Sequence, residues 1–285
     1  MFAVTRKLAW ISVLVFVASI RVANASGILI AARDTEDFAN TLPDHLAKTP
    51  TTGATAGATT IITTNYFVNG IGDGGGFLYA GSANGNAFLR IDYDGTLLTS
   101  GTSAGYKTSC CNEDIAYDPA TNIVYRGEWS TQITAVDGTT GALIQNYNQA
   151  DVVGMAYVNG ELWISKWSGR EVGTWDPLTN IYTKKFSTNG VGGVNGNAGG
   201  LAFDPFDQIL WIGFSDTGLV VPWSLTGTRL GIGYQPFGAF TDTIDGLVFL
   251  GEASPAPPAV PEPASLLLLG SGLAAVARRR LKATE

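Results

Sequence analysis

Histidine occurs once, at His45, and cysteine twice, at the neighbouring positions Cys110 and Cys111. A single imidazole excludes a histidine-built zinc site and the HExxH helix of metalloproteases. Charge is also sparse, at 14% of residues, and basic charge is scarcest in the middle of the chain. Residues 26–263 hold ten Lys and Arg against twenty-three Asp and Glu, a formal charge of −13. A body that acidic repels phosphate backbones, which excludes nucleic acid as a partner. Missing too is any amphipathic stretch of helical length within that body. What is abundant is glycine, threonine and aromatic residues, a composition that favours strands joined by tight turns.

One motif recurs through the chain. Asp114-Ile115-Ala116-Tyr117-Asp118-Pro119, Gly154-Met155-Ala156-Tyr157-Val158-Asn159, Gly200-Leu201-Ala202-Phe203-Asp204-Pro205 and Gly246-Leu247-Val248-Phe249-Leu250-Gly251 are four copies of it. Their apolar anchors Ile115, Met155, Leu201 and Leu247 are separated by 40, 46 and 46 residues. Asn65-Tyr66-Phe67-Val68-Asn69-Gly70 reads as an earlier, degenerate copy. A second strand follows each copy (Phe77–Gly81, Ile123–Gly127, Leu162–Ser165, Leu210–Gly213), then a third ending in a turn, then a fourth such as Ile181-Tyr182-Thr183. Four short antiparallel strands at a period of 40 to 50 residues predict an all-β fold, a β-propeller of about five blades, with four and six as the alternatives. The last copy has no strands after it, so Gly27–Ala32 is expected to pair with it and close the ring. Residues 47–60, rich in Thr, Ala and Gly, read as a loop outside that closing blade.

The two ends have their own composition. Arg6 and Lys7 precede an apolar run from Leu8 to Ile20, and Ala23-Asn24-Ala25 offers the small-x-small cleavage pattern of a secretory signal peptide. At the other end Val260-Pro261-Glu262-Pro263 leads into the apolar run Ala264–Ala277 and then Arg278-Arg279-Arg280. As a helix that run spans about 21 Å at ~1.5 Å per residue, short for a ~30 Å hydrocarbon core. The basic flank favours the cytoplasmic side and places the body outside. This succession of Pro-Glu-Pro, short apolar helix and arginine cluster resembles the PEP-CTERM sorting signal. The resemblance implies export by a Gram-negative bacterium through the Sec translocon, temporary retention in the inner membrane with the body facing the periplasm, and processing by exosortase. It also implies a destination at the cell surface or in an exopolysaccharide or biofilm matrix. The chain thus divides into residues 1–25, a signal peptide helix; 26–64, an N-terminal strand and loop; 65–251, propeller repeats; 252–263, a proline-rich linker; and 264–285, a transmembrane helix with a basic tail.

Chemistry is harder to locate. Gly101-Thr102-Ser103-Ala104-Gly105 matches the GxSxG elbow, and Gly70-Ile71-Gly72-Asp73-Gly74-Gly75 the GxGxxG fingerprint, but neither leads into a helix, so both read as turns. Residues just before the inner strands gather around one mouth of a propeller channel. There Glu113, Asp114, Asp151, Asn197 and Asp245 form a candidate Ca²⁺ site, the one cofactor the sequence suggests, or they simply solvate loops. Asp94, Asp137 and Asp176 sit in Asp-Gly and Asp-Pro hairpin turns. Cys110 and Cys111 are candidates for a strained vicinal disulfide, with free thiols or an intermolecular bridge as alternatives. Trp163, Trp175, Trp211 and Trp223 recur at equivalent strand positions and are expected to pack between blades. Trp129 and Trp167, in loops near Tyr125, Arg126 and Arg170, are candidates for stacking on sugars. Two functional readings follow: a non-catalytic surface module that binds extracellular polysaccharide or surface proteins, or a metal-dependent propeller enzyme of lactonase or lyase type.

Overall fold

In a computed structural model the chain is described over residues 26–33, 44–64, 68–81, 87–102, 112–128, 132–190, 196–238 and 244–251. The expected signal helix, the proline-rich linker, the C-terminal helix, Cys110, Cys111 and Trp129 lie outside these residues.

The chain opens with β1 (Ser26–Arg33), β2 (His45–Thr52), β3 (Thr55–Ala56) and β4 (Thr60–Thr63). Then come four units of antiparallel strands. The first is β5 (Ile71–Asp73), β6 (Leu78–Gly81), β7 (Ala87–Ile91) and β8 (Leu97–Thr102). The second is β9 (Asn112–Asp118), β10 (Ile123–Glu128), β11 (Ile133–Asp137) and β12 (Leu143–Tyr147). The third is β13 (Val152–Val158), β14 (Glu161–Lys166), β15 (Glu171–Asp176) and β16 (Ile181–Ser187). The fourth is β17 (Ala198–Asp204), β18 (Ile209–Phe214) and β19 (Leu219–Ser224), where the bridges Val220–Tyr234 and Trp223–Arg229 stand in for a fourth strand. Finally β20 (Gly246–Gly251) pairs antiparallel with β1, Gly27 opposite Gly251 and Ala32 opposite Gly246.

That pairing completes a fifth blade from both chain ends, in the order β20-β1-β2 with β3 and β4 on the outside. The innermost strands touch in the sequence β5, β9, β13, β17, β20 and back to β5, so the sheet units close into a five-bladed propeller. The packing explains why the repeat has the residues it has. The described residues form five hydrophobic clusters, one at each interface between blades, rather than one central core. Trp175 of the third blade meets Tyr147 and Tyr125 of the second edge-on, at 4.8 and 5.9 Å. Trp223 of the fourth stacks on Phe186 of the third at 5.5 Å. Trp163, Trp175, Trp211 and Trp223 are all buried, as their equivalent positions predict. At roughly 25 cal/mol per Å² of apolar surface, each such ring supplies a few kcal/mol to the interface it fills.

Two sequence expectations need correction. Residues 47–60 are largely strand: β2 pairs with β1 over its whole length and with β4 on its other edge. Leu46, Ala47, Thr49 and Thr51 are buried, and the Thr49 hydroxyl lies 2.8 Å from that of Thr59. β-branched threonine suits a strand when its hydroxyl finds a partner, which composition alone does not reveal. The first copy of the repeat, in turn, is Gly70-Ile71-Gly72-Asp73 rather than residues 65–70, so the GxGxxG string begins as an inner strand and ends in the expected turn, where Gly74 N donates to Phe77 O at 2.9 Å. Ile71 precedes Ile115 by 44 residues, in step with the later intervals. Glycine stands at position 72 because a Cβ there would lie 2.8 Å from Ile115 Cγ2 and 2.9 Å from its carbonyl oxygen.

Candidate functional site

The inner strands come together at backbone distance. A Cβ on Gly154 would stand 3.2 Å from the carbonyl carbon of Gly200; one on Gly200, 3.0 Å from Leu247 N; one on Gly246, 2.8 Å from Ile71 N. Glycine fits these places without a shift, which is why the repeat begins with it in the third, fourth and fifth blades; Gly70 holds the aligned place in the first. The second blade departs: the aligned residue is Asp114.

Its side chain turns onto the axis that the glycines leave open. Oδ1 accepts the N–H of Ile115 at 3.0 Å and of Leu247 at 3.2 Å; Oδ2 accepts those of Leu201 at 2.7 Å and Met155 at 3.2 Å. These amides belong to the second, fifth, fourth and third blades, so one carboxylate ties four inner strands together. A carboxylate has about four acceptor positions, and all four are filled. Burial pushes the Asp114 carboxyl well above the usual range, and the four amides pull it back only in part.

Above this axial plug opens a cavity of about 550 Å³. Each repeat lends it the same positions: the anchors Ile115, Met155, Leu201 and Leu247 near Asp114, the small residues Gly72, Ala116, Ala156 and Ala202 beyond, then aromatic Tyr117, Tyr157, Phe203 and Phe249 toward the mouth. Phe206, 46% exposed, stands at the rim. Backbone groups alternate between the two edges of a strand. The amides of Ile115, Met155, Leu201 and Leu247 face the axis, and the ladders run regularly from them onward. The N–H and C=O of Tyr117, Tyr157, Phe203 and Phe249 therefore face the cavity as well. A second recess of 430 Å³ lies alongside, bordered by Tyr125, Thr174, Trp175, Asp176 and Thr183; Tyr157 and Gly160 line both.

The mouth opens on the face that carries the aspartate turns. Asp118 accepts from Ala120 N and Thr121 Oγ1, Asp137 from Thr139 N, Thr140 N and Thr140 Oγ1, and Asp176 from Leu178 N and Thr179 Oγ1. Asn122 and Asn180 end two of these turns with φ of 57° and 56°. The capping acid in the first blade is Asp92, bonded to the amides of Asp94 and Thr96, while Asp94 itself pairs with Lys48 at 2.8 Å.

The expected channel-mouth residues divide. Asp114 is inside β9 as the plug, and Glu113 precedes it on the same strand. Asp151, Asn197 and Asp245 each stand at the start of an inner strand, at the end of the channel away from the cavity. Asp151 takes the Ser168 amide and hydroxyl at 3.0 Å, and the Asp245 amide donates to Ala32 O at 3.2 Å. No three His, Cys, Asp or Glu side chains among the described residues gather closely enough to hold a metal ion. Trp167, half-buried, donates its amide to Asp151 O and so sits on that same far face. Tyr125 and Arg126, expected beside it as surface groups, are buried, and Arg126 forms an ion pair with Glu128 at 3.2 Å. The aromatic rim went unassigned in the sequence although its signal was present: four repeats carry Tyr or Phe two residues after the anchor.

Fold and cavity together define a class, the five-bladed β-propeller with an axial recess. A structure of a nidogen–laminin complex contains a similar fold, with a TM-score of 0.53 at 12% identity, covering 79% of this chain and 98% of that one. Glutaminyl cyclase of Myxococcus xanthus aligns with a TM-score of 0.44 at 13% identity, over 65% of this chain and 71% of that one. No curated protein matches the sequence. The tail is more particular: residues 259–281 match the PEP-CTERM protein-sorting motif. That motif implies exosortase-dependent export, a membrane-anchored intermediate and arrival at the cell surface.

Proposed function

We propose that this chain is a non-catalytic binding module of the cell surface or extracellular matrix, and that the axial cavity is its binding site. The supporting observation is that cavity: about 550 Å³, concave, with Tyr117, Tyr157, Phe203, Phe206 and Phe249 among its lining residues and strand edges that present both donors and acceptors. Residues 1–25 serve as a cleaved signal peptide, 252–263 as a proline-rich stalk, and 264–277 as a short membrane helix that exosortase removes while the body faces the periplasm. The released or surface-held propeller then works in an exopolysaccharide or biofilm matrix, meeting polysaccharide or surface proteins.

The enzyme reading places a divalent metal over the channel, with Glu113, Asp114, Asp151 or Asp245 contributing ligands, and of these Asp114 is the one set on the axis. Its four acceptor positions are occupied by amides, which favours the binding reading. Fractionating cells with and without exosortase, and reading the thermal midpoint of the purified protein with Ca²⁺ and with chelator, tests both parts. The reading expects surface material only where exosortase is present and the same midpoint with and without Ca²⁺. A metal-dependent rise of several degrees would restore the enzyme, and unchanged surface display in the deletion strain would overturn the itinerary.

A further inference from the structure

The axial cavity mixes two surfaces that seldom occur together. Phe206 is exposed and Tyr157 and Phe203 are half-buried in its lining, while the backbone edges of Tyr117, Tyr157, Phe203 and Phe249 offer N–H and C=O groups that meet no protein partner among the described residues. An occupant shuts these edge groups off from water, so whatever enters must both donate and accept while offering apolar C–H faces to the rings. An uncharged, polyhydroxylated ring meets both conditions. A fatty chain would leave the edge groups unpaired, and an anion meets the Asp73 side chain at the wall and the aspartate turns around the mouth.

The neighbouring recess extends the argument. It shares Tyr157 and Gly160 with the cavity as a common border, and nothing stands within 4 Å of where a Cβ on Gly160 would be. Thr174, Asp176 and Thr183 line it with short polar groups suited to hydroxyls.

We propose that the axial cavity seats one neutral sugar ring of a glycan and that the recess beyond Gly160 takes the next ring of the same chain. This assignment rests on the binding reading above and names its ligand class. It also moves sugar recognition from the Trp167 face to the opposite end of the channel.

The full chain, purified in a detergent without sugar headgroups, is applied to an array of neutral, amino and acidic glycans spotted beside peptides. Neutral glycans should be retained, and Phe206→Ser should weaken retention at least tenfold with an unchanged thermal midpoint. Gly160→Asn, the side chain least strained by the left-handed φ of +88°, should weaken disaccharide binding about tenfold and leave monosaccharide competition in the same variant intact. Retention of acidic glycans alone, or of neutral ones undiminished in both variants, would overturn the sugar site. Peptides retained in a Phe206-dependent way, with no glycans, would overturn the ligand class and leave the cavity as the binding site. If neither class is retained, the sugar site and the binding reading fail together.

Discussion

At the residue scale Asp114 is the position on which the ring depends most. Replacing it with Asn keeps the volume but puts an NH₂ group among four N–H donors, leaving at least two of them without an acceptor at roughly 1–3 kcal/mol each. Asp114→Asn is therefore expected to lower unfolding stability by about 2–6 kcal/mol in a denaturant titration. Asp114→Gly restores the residue the other blades use and opens the amide cage to the cavity above. Formate should then enter in place of the lost carboxylate and raise the midpoint of that variant, but not of the native chain, as its concentration increases. A glycine variant indifferent to formate would mean that the four amides are not an anion cage. The residue was legible in part. Aligning the repeats exposes one acid in a column of glycines, but an acid ahead of an inner strand reads equally well as a metal ligand. What sequence does not carry is that a propeller axis presents amide hydrogens there, so that the carboxylate meets donors.

At the scale of elements, glycine and aspartate set the blade geometry. Gly200 lies so close to the fifth blade that a methyl group would stand 2.9 Å from Leu247 Cβ and 3.0 Å from both Gly246 C and Leu247 N. Backbone cannot move aside as a flexible side chain does, so Gly200→Ala should cost about 1–3 kcal/mol or more, read as a fall in the chemical-denaturation midpoint. The turns make a prediction about pH. Thr140 and Thr179 hold the carboxylates of Asp137 and Asp176 below the usual range; at Asp118 burial acts the other way and is outweighed by Thr121 and the Ala120 amide. A lowered native pKa stabilises the fold above the unfolded value near 4, and that contribution is lost as pH falls through the native value. At the alkaline end burial pushes the phenols of Tyr79, Tyr93 and Tyr125 up to about 12. The unfolded chain then loses protons near pH 10 that the native chain keeps, so stability should decline between pH 10 and 12. Midpoints that stay flat across both windows would contradict these assignments. The aspartate turns were largely readable from Asp-Pro and Asp-Gly pairs, whereas β2 was not, because its buried face is threonine and alanine and its neighbours come from distant parts of the chain.

At the scale of the molecule the closing blade separates what holds the ring from what carries it. Among the described strands β20 pairs with β1 alone, over Gly27–Ala32 and Gly246–Gly251, so the described ring closes eight residues before the sorting motif starts at residue 259. Eight residues reach at most about 29 Å, and Gly251, from which they lead, borders the cavity mouth. Five blades at a period near 44 residues were legible because each inner strand repeats the same pattern, and the two-ended closure because the last copy lacked successors. The division of labour has a direct consequence. Deleting residues 260–285 removes none of the described strands, so the thermal midpoint should stay within a degree or two of the full chain and the ring's far-ultraviolet β signal should persist. Deleting residues 26–33 removes the middle of the fifth blade together with Leu29 and Ala31, strips β20 of its one partner among the described strands, and leaves Trp211, Leu247 and Phe249 without the packing those two residues supply. That variant should lose cooperative unfolding altogether. If instead the tail deletion unfolded the body, the ring would depend on contacts beyond Gly251 and the separation between cargo and anchor would be wrong.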